Sequence, residues 1–225
     1  KRLILSGWFE SVFQKLVYSV IPQLEKLILI VDSSFVQTYS KKDEEGSEYF
    51  GYKEKNGFKL HQLIDYHSRL PLLQMCTPGA RADIVWGRNL IRGVPPNWPV
   101  EAVLADKGYD SDDLVVMSRE KWSGVRVAIP MRRTCQEKMT GIPESELNRK
   151  RKGSNRSHDR RLYKKRTAIE RYFSRKKGVF NLGEEKTRGL ENFRVNCCLT
   201  SIMEILEWMS GLLGLFTKLE TNCLT

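Results

Sequence analysis

Three carboxylates have sequence surroundings that suit metal-dependent chemistry. Asp32 follows the continuous apolar run 27–31, and Asp106 follows a second apolar run, 100–105. Glu170 is the one carboxylate in the sequence between positions 160 and 183, a segment crowded with lysine and arginine. Carboxylate oxygens are the ligands that Mg²⁺ and Mn²⁺ prefer. Two neighbouring carboxylates do not both stay ionised without a cation, so pairing of Asp32 with Asp106 by the fold would favour a metal site.

Each acid also has an ordinary structural interpretation. An aspartate that follows a strand commonly forms a turn or caps a helix. Glu170 has Arg166 one helical turn before it, a spacing that gives a simple ion pair. Asp83, at the start of an expected helix, is interpreted as a capping or helix-dipole residue. His61 and His67 fall in or beside a predicted hairpin, where a structural or solvent-facing histidine is commoner than a ligand.

The helix predicted around Glu170 has an unusual face. At about 100° per residue, Tyr163, Arg166, Glu170 and Lys177 fall on one narrow stripe. A tyrosine, two cations and a carboxylate do not make a core-facing stripe. Such a face could present one carboxylate to a metal and two cations to phosphates.

The positive charge is concentrated in the second part of the chain. The 225 residues carry 38 Lys and Arg against 27 Asp and Glu, a formal net charge of +11. Residues 149–177 hold 14 basic side chains and two acidic ones. Because like charges at helical spacing repel, a solvated helix explains this imbalance poorly, whereas release of counterions from a phosphate backbone would favour it. The basic segment 149–177 therefore predicts nucleic-acid binding.

The elements that must position these residues alternate between strands and helices. A helix is predicted over 8–21, a buried strand over 27–31 that ends at Asp32, and a loop over 39–57. Two strands, 58–64 and 70–77, flank a hairpin turn, and a helix follows over 80–91. Strands at 100–105 and 125–129 enclose a helix from 112 to 117. A patternless loop over 131–158 leads to one helix over 160–177 and a packed amphipathic helix after Gly183. This order predicts an α/β fold with a mixed sheet flanked by helices.

The chain is interpreted as three parts. Residues 1–26 form an N-terminal helical segment, 27–216 the main domain, and 217–225 a C-terminal tail. The first residue is Lys rather than Met, so we expect a fragment or a processed chain in which 1–26 is the remnant of a truncated region. Five cysteines without a C-x-x-C pair indicate reduced thiols of the cytoplasm. The apolar run 208–216 is too short to span a bilayer, so no membrane partner is expected.

At these residues the sequence resembles a known family. The pattern Tyr163-x2-Arg166-x3-Glu170-x6-Lys177 is similar to the YREK signature of insertion-sequence transposases of the DDE class. The segment Asp106-Lys107-Gly108-Tyr109 resembles the D-x-G-Y motif around their second acid, and Val31-Asp32-Ser33-Ser34 resembles the segment around their first. The resemblance extends from about residue 27 to about residue 206.

The resemblance implies a ribonuclease-H-like fold in which Asp32, Asp106 and Glu170 are catalytic and hold two Mg²⁺ or Mn²⁺ ions. It implies that Tyr163, Arg166 and Lys177 contact double-stranded transposon-end DNA, which is cleaved and then joined to target DNA. A homodimer in a synaptic complex and a place on the prokaryotic nucleoid are implied as well. Only 31 residues precede Asp32, so recognition of the end sequence is expected to lie outside this chain. A sequence-tolerant nucleic-acid-binding module, an inactive transposase remnant and a nuclease on the same fold remain alternatives.

Overall fold

The protein was examined as a computed structural model, which describes residues 6–130, 160–182 and 188–212. The predicted loop 131–158, the part of the basic segment before position 160 and the tail 217–225 lie outside these ranges. Among the described residues, no helix is both long and apolar enough to cross a membrane.

The first half of the chain builds most of the sheet. Helix α1 (Trp8–Val20) and a short 3₁₀ turn (Ile21–Gln23) precede strand β1 (Leu27–Gln37). The short strand β2 (Glu48–Phe50) comes next, followed by the hairpin of β3 (Lys55–Asp65) and β4 (Pro71–Pro78). The predicted hairpin around 65–69 is therefore present. The prediction of a continuous loop over 39–57 was wrong, because β2 pairs antiparallel with the first residues of β3.

The second half adds parallel strands and most of the helices. Helix α2 (Asp83–Gly93) leads to β5 (Val100–Ala105), the 3₁₀ turn Lys107–Tyr109, α3 (Asp112–Lys121) and β6 (Arg126–Ala128). Helices α4 (Arg160–Lys164), α5 (Thr167–Val179) and α6 (Leu190–Leu212) complete the described residues.

The sheet is mixed, as the sequence predicted. Strands β1, β5 and β6 run parallel, whereas β3 lies antiparallel to β1 on one edge and to β2 and β4 on the other. Apolar side chains alternate between its two faces. Leu27, Leu29 and Val31 join a core cluster with α1, α2 and α3, while Ile28 and Ile30 join a second cluster with α4 and α5. The fold is thus an α/β sandwich, with one mixed sheet between helical layers.

Two boundaries differ from prediction in ways that matter for the site. Strand β1 does not end at Asp32: it pairs with β3 as far as Gln37, while its pairing with β5 stops at Val31 opposite Ala105. The predicted helix 160–177 is two helices. Backbone N–H groups of Lys165, Arg166, Ala168 and Ile169 bond the carbonyls three residues before them, which tightens the chain between α4 and α5.

Candidate active site

The first two acids lie together because of the sheet geometry. Val31 and Ala105 are register partners on parallel strands, and each is followed by its aspartate. Both apolar residues belong to the α1–α3 side of the core, so alternation along a strand turns Asp32 and Asp106 toward the opposite face, where α5 lies. The neighbouring carboxylate of Asp106 is one cause that raises the pKa of Asp32. Asp32 therefore sits inside β1, at the point where parallel pairing ends, rather than in an exit loop.

Asp32 is held in a poorly hydrated position. Its side chain is 21% exposed, and its Oδ1 accepts a hydrogen bond from the backbone N–H of Ser33 at 2.8 Å. The pKa of Asp32 is raised from 3.8 to about 7, chiefly because burial penalises the charged form, and the charges of Asp106 and Asp83 contribute to this rise. The Ser33 hydrogen bond and the positive charge of Arg166 act in the opposite direction. The site thus favours a positive charge beside Asp32.

Asp106 is fixed by the turn that follows it. Its Oδ1 accepts a 2.7 Å hydrogen bond from the N–H of Gly108, and the 3₁₀ turn begins at the next residue. The turn sends Tyr109 into the core, where its ring lies against Gly87 of α2. A Cβ on residue 87 would lie 2.4 Å from that ring, so only glycine permits the contact. The D-x-G-Y residues thus act together: the glycine amide orients the carboxylate, and the tyrosine anchors the turn.

Arg166 connects the third acid to the first. One guanidinium nitrogen lies 3.5 Å from Asp32 Oδ2, and another donates to Glu170 Oε1 at 2.5 Å. The side chain of Glu170 is 56% exposed, whereas that of Arg166 is 17% exposed. The ordinary ion pair expected from the sequence therefore exists, and the same arginine also reaches the carboxylate of β1. Asp32, Asp106 and Glu170 consequently surround one region of the sheet, with Arg166 among them.

The other two residues of the predicted stripe lie on either side of Arg166 along the chain. The ring centroid of Tyr163 on α4 lies 5.8 Å from the Arg166 guanidinium carbon, and the tyrosine is half-buried against the second core cluster. Lys177, near the end of α5, is exposed and lines a groove beside β1. Because the helix is broken between α4 and α5, the single projection that predicted one narrow face does not describe how these residues come together.

A second polar cluster beside the site was missed in the sequence. Asp83 Oδ1 accepts a hydrogen bond from Ser33 Oγ at 2.8 Å and another from Lys59 Nζ at 3.1 Å. His61 Nδ1 lies 3.7 Å from the same oxygen, and the other ring nitrogen lies 2.9 Å from Thr77 Oγ1. Asp83 does not cap α2, since the N-cap is Ala82, but it lies in the first turn of that helix, where the helix-dipole interpretation placed it. Nothing in the local sequence pairs β3 with the start of α2, so only the fold reveals the cluster.

The carboxylate oxygens of Asp32 and Asp106 suit a hard divalent cation. Among the residues that the structure describes, no three histidine, cysteine, aspartate or glutamate side chains are grouped closely enough to hold a metal together. Asp32 and Asp106 nevertheless supply all-oxygen ligands at adjacent strands, and the buried Asp32 carboxylate favours a nearby positive charge. Arg166 supplies that charge in this arrangement. Asp32 and Asp106 therefore fit as carboxylate ligands, and Glu170 is joined to them through Arg166.

The sequence matches a known family over most of its length. Residues 23–204 match the transposase DDE domain family. No curated protein matches the sequence closely enough to count as a relative. The chain belongs to the transposase DDE domain family, whose members act in DNA cleavage and transposition. The mixed six-stranded sheet flanked by helices is consistent with a ribonuclease-H-like transposase domain, as predicted.

Proposed function

We propose that this chain is a transposase that cleaves DNA at transposon ends and joins the freed end to target DNA. Asp32, Asp106 and Glu170 are the proposed catalytic residues and ligands of two Mg²⁺ or Mn²⁺ ions. The observation that supports this most is the convergence around Arg166, which pairs with both Asp32 and Glu170 while Asp106 lies beside Asp32. Asp32 and Asp106 follow register partners on adjacent strands, and Arg166 links Glu170 to Asp32, which supports a shared role for the three acids in phosphoryl transfer.

The reaction is a displacement at phosphorus. Water first attacks a phosphodiester, which breaks the P–O3′ bond and leaves a 5′-phosphate and a free 3′-hydroxyl. That hydroxyl then attacks a phosphodiester of target DNA, forms a new P–O bond and displaces a 3′-hydroxyl of the target strand. Bound divalent cations would stabilise the charge on the attacking and leaving oxygens. The protein's own residues contribute position and charge: Asp32 within β1 and Asp106 just after β5 hold fixed carboxylates, and Gly108 keeps Asp106 oriented.

Arg166 and Lys177 have different proposed roles toward DNA. The planar guanidinium of Arg166 can form two parallel hydrogen bonds with one phosphate, whereas the lysine acts as a point charge. Tyr163 would support Arg166 through its ring and contact the same DNA. We also propose that two copies bring two ends together on the nucleoid, as the family resemblance implies.

The test compares Asp106→Asn with the parent on supercoiled plasmid that carries both ends of the encoding element, with Mg²⁺ or Mn²⁺. We expect Asp106→Asn to lose nicking while retaining DNA in a gel-shift assay, because the substitution removes a charged ligand and keeps the shape. Asp113→Asn, which changes an exposed acid on α3, is the matched control and should nick normally. Equal nicking by Asp106→Asn and the parent would refute the assignment.

The products separate the proposed function from its alternatives. Joined product molecules support a transposase, whereas cleavage without joining indicates a nuclease on the same fold. Binding of DNA without any cleavage by the parent would indicate a binding module or an inactive remnant, and would contradict the proposal.

A further inference from the structure

A groove of about 510 Å³ lies along the part of β1 beyond Asp32. Its floor is made by residues 33–37, which continue β1 past the end of its pairing with β5. Because Ser33 is the neighbour of Asp32, one end of the groove adjoins the carboxylates. The opposite wall comes from the segment that joins β2 to β3 and from the last turn of α5.

The charged side chains that line this groove have one sign. Lys53, Lys55 and Lys177 contribute to its walls, and no carboxylate is found among its described lining residues. All three lysines are exposed. Glu54 lies between two of them in the sequence but does not line the groove. Three ammonium groups beside a polar strand suit a row of phosphates, because each contact releases condensed counterions from DNA.

The hairpin that carries Lys53 and Lys55 is anchored to the sheet. The Phe35 ring of β1 lies 5.4 Å, between centroids, from the Phe50 ring of β2. The same Phe35 ring fits between two glycines: a Cβ at Gly57 would lie 2.5 Å from it, and one at Gly79 would lie 2.8 Å from it. Lys59 Nζ lies 4.3 Å from the centroid of the Phe50 ring. The two lysines are therefore presented by a packed hairpin rather than by an unsupported loop.

We infer that this groove is a phosphate-binding track, in which Lys53 and Lys55 join Lys177 to hold the backbone of the DNA strand that enters the carboxylate site. The inference rests on the proposed function and extends it to a hairpin that lies outside the sequence motifs. Because lysine contacts to phosphate carry no base information, the track binds DNA without regard to sequence.

The test measures DNA binding alone, in EDTA, so that no cleavage occurs. Fluorescence anisotropy with a labelled 30-base-pair duplex gives the observed association constant over a range of KCl concentrations. We expect the Lys53→Ala/Lys55→Ala variant to reduce the slope of log K against log[KCl] by about 2, since each lysine–phosphate contact contributes about 0.9. The charge-preserving Lys53→Arg/Lys55→Arg variant should keep the parental slope.

The matched control removes the same charge elsewhere. Lys15 on α1 and Lys26, just before β1, are exposed and do not line the groove, so Lys15→Ala/Lys26→Ala should keep the parental slope. An unchanged slope in the hairpin variant, or an equal change in the control, would overturn the inference. If the double variant melts early, the single Lys55→Gln variant must lower the slope by about 1, and no change in it would overturn the inference too.

This outcome is independent of catalysis. If the parent cleaves DNA but the hairpin variant keeps the parental slope of log K against log[KCl], the proposed function stands and the track is refuted. If the parent cleaves no DNA but the hairpin variant shows a smaller slope of log K against log[KCl], the track is supported as a DNA-binding surface and the proposed function is refuted.

Discussion

At the scale of single residues, the charge balance around Asp32 is the property with the most consequences. The aspartate is buried beside Asp106, which favours its protonated form, while Arg166 favours its charged form. Because the pKa of this carboxyl lies near 7, a cation that binds beside it would favour the ionised form. Arg166 supplies one positive charge for several carboxylates, so the site can bind further positive charge.

Divalent cations are therefore expected to stabilise the folded protein. At a concentration about 100-fold above the dissociation constant, a ligand that binds only the native state adds about 2.7 kcal/mol, or roughly 5–10 °C in Tm for a chain of this size. We expect Mn²⁺ to raise the Tm of the parent and of Asp113→Asn but not that of Asp32→Asn. Scanning calorimetry at pH 7.5 with and without Mn²⁺ measures the shift. An equal rise in Asp32→Asn would exclude this aspartate as a ligand.

His61 should make the protein sensitive to acid. Burial lowers the pKa of its imidazole from 6.5 to about 4; the charge of Asp83 opposes this shift and that of Lys59 adds to it. Between those two values the unfolded chain binds a proton that the folded protein does not, so stability falls as the pH falls from about 6.5 to 4. The full effect is about 3 kcal/mol, because one pKa unit corresponds to about 1.36 kcal/mol.

The His61→Gln variant tests this sign. Glutamine keeps a polar group near Thr77 but does not titrate, so the variant should lose less stability than the parent between pH 6.5 and 4. Urea unfolding at several pH values gives both curves. His67→Gln, in the turn between β3 and β4, is the control and should follow the parent. A steeper fall in His61→Gln than in the parent would show that the sign is wrong.

At the scale of elements, helix α2 positions Asp106 through the turn that follows β5. Gly87 lets the Tyr109 ring lie directly on the helix, and Tyr109 ends the turn that begins after Asp106. Helical glycine normally costs about 1 kcal/mol relative to alanine, so this glycine is retained against propensity. The contact links the position of α2 to the orientation of a catalytic candidate.

Gly87→Ala is therefore expected to destabilise the protein by roughly 1–3 kcal/mol and to lower DNA nicking, because the new methyl group overlaps the Tyr109 ring. Gly178→Ala, in α5, is the control: a Cβ there meets no atom within 4 Å, so helix propensity should stabilise it by up to about 1 kcal/mol. Denaturant unfolding gives both values. A Gly87→Ala variant as stable and active as the parent would show that Tyr109 moves without consequence.

The elements show which parts of the fold follow from sequence alone. The run that became β5 was predicted to the residue, and the two strands of the β3–β4 hairpin were predicted to within three residues at each end, because turn formers bound these runs. The whole of β1 was not predicted, since its second half is polar and is held by pairing with β3. The break before α5 was not predicted either, because nothing local in the sequence marks it.

The candidate site divides in the same way. The three acids and the YREK positions carry a motif, so they were predicted together, and their catalytic and DNA-binding roles stay predictions. Residues that act through long-range contacts carried no signal: Asp83 meets Ser33 and Lys59 only after β1, β3 and α2 assemble. Lys53 and Lys55 were counted only in the total charge, because the groove that gives them a shared direction is a property of the folded chain.

At the scale of the whole molecule, a buried polar network joins the helical layer to the sheet. Lys176 belongs to the basic segment predicted to face DNA, yet its side chain is fully buried. Its Nζ donates to Ser201 Oγ at 2.7 Å and lies 3.6 Å from Glu204 Oε2 on α6. Ser201 in turn donates to Gln74 of β4 at 2.6 Å, and Tyr172 donates to Glu204 at 2.9 Å. The network therefore connects α5, α6 and β4.

Lys176 and Glu204 form a buried charge pair. The loss of one partner should destabilise the protein strongly, because it leaves the other charge buried without its partner. Lys176→Met leaves the Glu204 carboxylate without its nearest cation in a dry position, a change that typically costs about 3–5 kcal/mol. Burial already raises the pKa of Glu204, and the charges of Lys176 and Arg175 oppose that rise, so the loss of Lys176 should raise this pKa further. In Lys176→Met/Glu204→Gln no such charge remains. The double variant should therefore lose less free energy of unfolding than the two single variants lose together, and the difference, the coupling energy, should be roughly 1–3 kcal/mol.

The measurement is a double-mutant cycle in which urea unfolding gives the free energy of unfolding of each variant. The midpoints are compared for variants that share the same dependence of this free energy on urea concentration. The exposed ion pair of Arg126 and Glu101 on neighbouring strands provides the control cycle, where coupling should stay below about 1 kcal/mol because solvent screens it. Lys176 and Glu204 lie on different helices, so a large coupling in their cycle would mean that the charge pair stabilises the packing of α5 on α6. Since α5 also carries Glu170 and Lys177, the same packing would then fix the side of the molecule for which DNA binding is proposed. Strictly additive losses would instead mean that apolar contacts alone hold these helices together.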